Sequence, residues 1–330
     1  MDPVQERYER VIDRRLALVV TLAFLTLPLA AEAQPAGAVR TIGLLGTSKD
    51  GYPAFKEGLR ELGWVEGNTV RFEGRLSADY RELPRLATEL VRVPVDVIFA
   101  GNAPSVRAAM NATRAIPIVM VSGDPVSAGF VASLARPGAN VTGLAIMQTE
   151  LSGKRLEILT QALPTARRIA VLANPTNPST PAMLRETEAR ARSLGVLVLR
   201  FEATAPDQLA GAVAAAARER ADALAVLGDP MFNLNSQRLV EAAAQHRLPA
   251  IFEWREIVEA GGFMAYAPRL ADLQRRAATY VDRILKGAKP GELPVEQPVK
   301  FDLVINLRTA KALGRTIPQS LLLRADHVVE

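Results

Sequence analysis

From residue 40 onward the chain repeats one local grammar: a short β-branched apolar run, a polar or Gly/Pro turn, then an amphipathic stretch. A continuously apolar strand must be covered on both faces, and parallel neighbours need a long crossover between them. The alternation therefore restricts the chain to parallel βαβ units. In a first series, residues 40–46 (RTIGLLG), 70–74, 95–100 (VDVIFA) and 116–121 read as strands, with helices over 52–62, 81–91 and 104–113. A second series begins near Leu151. It has a helix over 154–163, strands over 168–173 (RIAVLA), 196–201, 223–227 and 250–252, and helices over 181–194 and 207–220. One grammar used twice predicts two similar α/β lobes, each a doubly wound parallel sheet. Residues 140–148 lie between the series and read as a first crossover.

The end of the chain does not start a third lobe. Residues 270–286 form one helical pattern, Pro290 and Pro294 interrupt structure, and 295–304 reads as extended. One helix and short extended pieces cannot bury a core alone, so they must complete the lobes already begun. The expected division is a first lobe over 40–145 plus about 266–300, and a second over 149–264 plus about 303–330. A length of 330 residues agrees with two domains.

Residues 1–33 read as an export leader. Arg14 and Arg15 form a positive edge, 16–30 is an apolar run, and Ala31-Glu32-Ala33 fits a small-x-small cleavage site. A permanent span needs about 20 apolar residues, so the expectation is cleavage near Ala33 and a periplasmic protein. A retained N-terminal anchor is the other reading.

The net charge is +5, but basic residues are interspersed with acids, as in Arg218-Glu219-Arg220, and no basic run carries interleaved aromatics. This pattern argues against nucleic acid as a partner. The chain has no cysteine and two histidines, His246 and His327. Disulfides, thiol catalysis, thiolate metal sites and a lipidated cysteine leave the options. No nucleophile elbow, P-loop, dinucleotide fingerprint or zinc-protease motif occurs, and no acidic cluster has metal-ligand spacing. We expect no catalytic residues, no metal and no cofactor.

Several stretches resemble a known family. Residues 123–143 (GDPVSAGFVASLARPGANVTG), 151–159 (LSGKRLEIL), 276–288 (RAATYVDRILKGA) and 293–313 (LPVEQPVKFDLVINLRTAKAL) resemble ABC transporter substrate-binding proteins of the TrpX-like group. Ile317-Pro318 and Arg324-Ala325-Asp326 fit as well. The resemblance covers nearly all of the chain beyond the leader. It implies a type I periplasmic-binding-protein fold, with two lobes joined by three crossovers and a small-molecule solute in the cleft between them. It also implies an ABC permease as partner and a protein that works as a monomer. A ligand-sensing module for a membrane receptor would use the same fold. The chain departs from the family pattern at Gly101-Asn102-Ala103, at Phe252-Glu253-Trp254 and in a short loop over 47–53.

In open parallel sheets, ligands bind beyond the carboxyl ends of the strands, where helix N-termini present free N–H groups. The candidate binding residues are therefore Thr47, Ser48, Asn102 and Asp124 in the first lobe. In the second they are Asn174, Asp229 and Trp254, with Tyr266 from the second crossover. Thr47, Ser48 and Asn102 also read as helix caps. Asp124-Pro125 and Asp229-Pro230 also read as helix starts, while an acid suits an ammonium group. Trp254 could stack on a planar ligand or belong to the core. The solute class expected is a small polar compound, an amino acid or a related planar amine.

Overall fold

A computed structural model describes residues 39–47 and 50–330. The leader expected over 1–33 lies outside the described residues, as does Ser48. The first sheet is built from β1 (Arg40–Gly46), α1 (Pro53–Glu61), β2 (Val70–Leu76), α2 (Leu83–Leu90), β3 (Val97–Ala100), α3 (Ala103–Ala112), β4 (Ile118–Ser122) and β5 (Val141–Ala145). Its strand order is β2-β1-β3-β4-β5, and every pairing is parallel.

The chain then enters a second unit. In order come α4 (Gln148–Ala162), β6 (Arg168–Ala173), α5 (Thr180–Leu194), β7 (Leu197–Glu202), α6 (Leu209–Arg218) and β8 (Ala223–Val226). They are followed by α7 (Pro230–Leu234), α8 (Ser236–Gln245), β9 (Ala250–Phe252), α9 (Arg255–Glu259) and β10 (Met264–Ala267). Next is α10 (Leu270–Leu285), then β11 (Asp302–Asn306), α11 (Leu307–Ala312), α12 (Gln319–Leu322) and β12 (His327–Val329). The second sheet runs β12-β11-β10-β9-β8-β6-β7.

Burial explains the composition of the strands. Every residue of β3, β4, β5 and β8 is buried, so these strands are largely apolar and show no alternation of buried and exposed positions. The edge strands β2 and β7 are partly exposed and carry Arg71, Glu73, Arg75 and Arg200. Charges on an edge discourage pairing with another chain.

Two features differ from the sequence expectation. Residues 141–145 are not only connector: they form β5 and close one side of the first sheet. Gly143 makes this pairing possible, because at its φ of 134° a Cβ would lie 2.2 Å from the Met120 carbonyl oxygen. The second sheet is also not wholly parallel, since β10 and β11 pair antiparallel. The cause is the direction of travel. β10 carries the chain out of the second sheet, and β11 brings it back from the first, so the two neighbours run in opposite senses.

The chain passes between sheets three times. It leaves β5 through Ile146 and Met147, the latter in the left-handed region at φ 63°, and starts α4. It leaves β10 through Pro268 and Arg269 to α10, which packs against α1 on the first sheet. There Gly58 allows the approach, since a Cβ would sit 2.8 Å from the Arg275 carbonyl oxygen. After α10, Glu296 bridges Leu144 beside β5, and residues 298–301 lead back to β11. The Tyr266 and Phe301 rings stack at 5.8 Å, joining the second passage to the third.

Candidate ligand-binding cleft

A cavity of about 440 Å³ opens where the carboxyl ends of the two sets of strands face each other. From the first sheet it is lined by Thr47 after β1, Gly101 and Asn102 after β3, and Ser122 and Gly123 at the end of β4. From the second come Asn177, Pro230, Asn233, Glu253 and Trp254. Gln148, at the start of α4, lies between them. Asp50, Glu253 and Glu256 give the wall three carboxylates, and among the described residues no lysine or arginine lines it.

The first-lobe wall is made of neutral polar groups. Asn102 caps α3: its Oδ1 accepts from the Ser105 backbone N–H at 3.0 Å and from the Ser105 hydroxyl at 2.7 Å. Its Nδ2 donates to Thr47 Oγ1 at 3.1 Å. Asn102 is thus both a helix cap and a cleft residue. The Ser122 hydroxyl is buried without a hydrogen-bond partner among the described residues, an uncommon state for a buried polar group. The Tyr52 ring closes one side, packed edge-on against Phe99 at 4.9 Å.

Asp229 ties the lobes together. Its carboxylate accepts from the Tyr80 hydroxyl at 2.9 Å, and Tyr80 belongs to the first lobe. It also accepts from Asn177 Nδ2 at 2.9 Å, Asn174 Nδ2 at 3.3 Å and the Met231 backbone N–H at 2.9 Å, the last capping α7. Met231 N–H also donates to the Tyr80 hydroxyl at 3.0 Å. Burial pushes the Asp229 carboxyl up to about 6, against the hydrogen bonds from Asn177, Tyr80 and Asn174 that favour the ionised form. Burial, and then the nearby Asp229 charge, push the Tyr80 phenol up as well.

Glu253 is the buried carboxylate of the cavity wall, 2% exposed. It accepts from Gln148 Nε2 at 2.6 Å and from Asn233 Nδ2 at 3.2 Å. Behind it stands Arg155 on α4, also 2% exposed, with Nη2 at 3.9 Å from Glu253 Oε1. Arg155 Nε donates to the Tyr266 carbonyl at 2.9 Å. Burial lowers the Arg155 pKa, and the Glu253 charge opposes that shift.

A family model for ABC transporter substrate binding proteins matches residues 47–329. The chain belongs to that family. Its relatives include the tyrosine-binding protein of Clostridioides difficile (strain R20291), 26% identical over 261 residues, covering 78% of this chain and 75% of the relative. Among solved structures, a conserved domain protein from Vibrio cholerae matches with a TM-score of 0.82 and 27% identity, over 88% of this chain and 99% of the other. An ABC domain in complex with L-Trp from Streptococcus pneumonia matches with a TM-score of 0.81 and 25% identity, over the same shares. The fold is that of type I periplasmic binding proteins. The family is one of extracytoplasmic substrate-binding proteins rather than enzymes.

In this substrate-binding protein the expected residues divide. Thr47, Asn102 and Trp254 line the cavity together. Asn174 and Asp229 lie beneath it and turn towards each other and Tyr80. Asp124 sits outside the cavity lining, where its carboxylate accepts from the Ser127 backbone N–H at 3.4 Å. Asp124-Pro125 begins a turn rather than the expected helix. Tyr266 lies within β10, away from the cavity lining, because its ring packs on Phe301. Gln148, Asn177, Asn233 and Ser122 were not singled out from sequence. Ser122 ends a strand and obeys the same strand-end rule. Gln148 begins α4 after β5, Asn177 lies in the loop after β6 and Asn233 on α7 after β8, each further along the chain from its strand end.

Proposed function

We propose that this substrate-binding protein captures an amino acid or a related planar amine in the cleft and hands it to an ABC importer. The chain would reach the periplasm on the leader over residues 1–33, cleaved near Ala33. The observation that carries the reading is the cavity itself. Its 440 Å³ volume lies in the range of small-molecule sites, about 300–1,000 Å³, and its wall sets the Trp254 indole beside the Glu253 carboxylate. An indole face suits a planar group and a carboxylate suits an ammonium. The tyrosine-binding relative and the L-Trp complex support the same solute class.

Thr47, Asn102 and Ser122 contact the solute from the first lobe, and Asn177, Glu253 and Trp254 from the second. A solute that touches both walls binds the closed arrangement better than an open one, and this difference drives closure. The permease then reads the paired lobes. A thermal-shift screen of the purified protein against the common amino acids and aromatic amines tests the proposal. A true solute raises the melting temperature by mass action, and by more as its concentration rises. No stabilisation by any amino acid or aromatic amine would sink it.

A further inference from the structure

Glu253 is held more elaborately than packing requires. Two glycines make room for the Gln148 carboxamide that donates to it. A Cβ on Gly123 would lie 2.5 Å from Gln148 Oε1, and one on Gly228 would lie 2.5 Å from Gln148 Nε2 and 2.9 Å from Glu253 Oε1. Gln148 is therefore wedged between a first-lobe strand end and a second-lobe strand end, with Glu253 fixed at its tip. An ionised carboxylate offers about four acceptor positions. Gln148 and Asn233 occupy two, on different oxygens, and the group still lines the cavity.

Arg155 adds an independent observation. Both of its Nη atoms are buried without a hydrogen-bond partner among the described residues, although a buried guanidinium normally finds acceptors for them. Among the described residues its one ion-pair contact is the longer one to Glu253, at 3.9 Å. It does not line the cavity, so its charge acts through Glu253. Among the described residues, the other titratable side chains of the wall are acids and a phenol, Asp50, Glu256 and Tyr52, and the Glu253 charge also acts on Tyr80 of the first lobe.

We propose that Glu253 is the specificity-determining residue of the cleft: it takes the ammonium group of the solute, which makes a cationic amine obligatory and a solute carboxylate dispensable. Arg155 is its positioning residue, anchored on the Tyr266 carbonyl and balancing the Glu253 charge from behind. The inference rests on the cleft being the solute site, as proposed above. Among the described residues of the cavity wall, a solute's own carboxylate meets neutral donors such as Ser122 and Thr47, and faces three acids. A polar site built for one charged group discriminates strongly against analogues that lack it, because its buried partner is left unpaired.

The test is calorimetric titration of the full protein with L-tryptophan, tryptamine (no carboxylate) and 3-indolepropionate (no amine). Tryptamine should bind within about tenfold of L-tryptophan, and 3-indolepropionate about a hundredfold or more weaker. Equal binding of 3-indolepropionate and tryptamine overturns the inference and leaves the cleft assignment standing. Failure of all three, and of every other amino acid and aromatic amine, removes the proposed function and this inference with it. Glu253→Gln should cut tryptamine binding about a hundredfold and abolish the preference over 3-indolepropionate; a retained preference overturns the assignment. The comparison on the unaltered protein does not depend on that variant folding.

Arg155 is tested by selectivity. If it positions Glu253, Arg155→Met should cut the preference for tryptamine over 3-indolepropionate about tenfold or more. Arg155→Lys should restore most of that preference. An equal loss of affinity for both ligands would assign Arg155 to packing alone.

Discussion

Trp254 and Asp124 occupy equivalent places in the sequence, each just beyond a strand, and the fold gives them different surroundings. Trp254 is 8% exposed and forms part of the cavity wall. Its truncation to alanine should cost about 2 kcal/mol or more in binding, roughly thirtyfold in Kd. Among the described residues Asp124 bonds within its own turn, to Ser127 and Ala128, so Asp124→Asn, which keeps an acceptor for the Ser127 N–H, should leave affinity unchanged. Titration of the two variants checks both outcomes. Thr47, Asn102 and Trp254 were legible because the strand-end rule locates backbone positions. The rule does not say where a side chain points. Asn174 and Asp229 also follow strands, yet their polar atoms are used by each other and by Tyr80. Gln148 follows β5, which reads only as a connector in the sequence, and Asn177 lies beyond Asn174 in the loop after β6, so neither stands at a strand end that the sequence marks.

At the scale of elements, the pair Asp-Pro occurs twice with different results. Asp229-Pro230 starts α7, and the Asp229 carboxylate caps it. The same group receives the Tyr80 hydroxyl across the cleft, so a helix cap also serves as a bridge between lobes. A hydrogen bond to a charged group contributes about 1.5–3 kcal/mol. Tyr80→Phe should therefore weaken solute binding about tenfold, chiefly through faster release, as stopped-flow dissociation would show. The bridge also carries a pH dependence. The Asp229 carboxyl titrates near 6 in the folded chain and near 4 in an unfolded one. The folded state thus binds this proton more tightly. Its contribution to stability is fully present below about pH 4 and is lost as pH rises through 6. Asp229→Asn mimics the neutral form and should lack this slope. The difference in urea stability between the two proteins should therefore change by at most about 3 kcal/mol between pH 4 and 7. A constant difference would refute the assignment.

For the whole molecule, the three passages between sheets decide what can move. Residues 146–147, 268–269 and 298–301 lie close together in the fold, since Glu296 bridges Leu144 and Tyr266 stacks on Phe301. Three adjacent connecting segments favour bending about one line. Small-angle scattering should show a smaller radius of gyration at saturating solute than without it; an unchanged radius would argue against a closing cleft. The sequence by itself determined the βαβ units, their grouping into two series and the inability of the tail to fold alone. Each of these follows from hydrophobic period and turn chemistry, which are local. Only the tertiary structure decided that β5 joins the first sheet and that β10 and β11 run antiparallel. It also decided that Gln148, Arg155 and Glu253 converge, although 105 residues separate Gln148 from Glu253. Such meetings depend on which strand ends two sheets bring face to face, and no local periodicity encodes that.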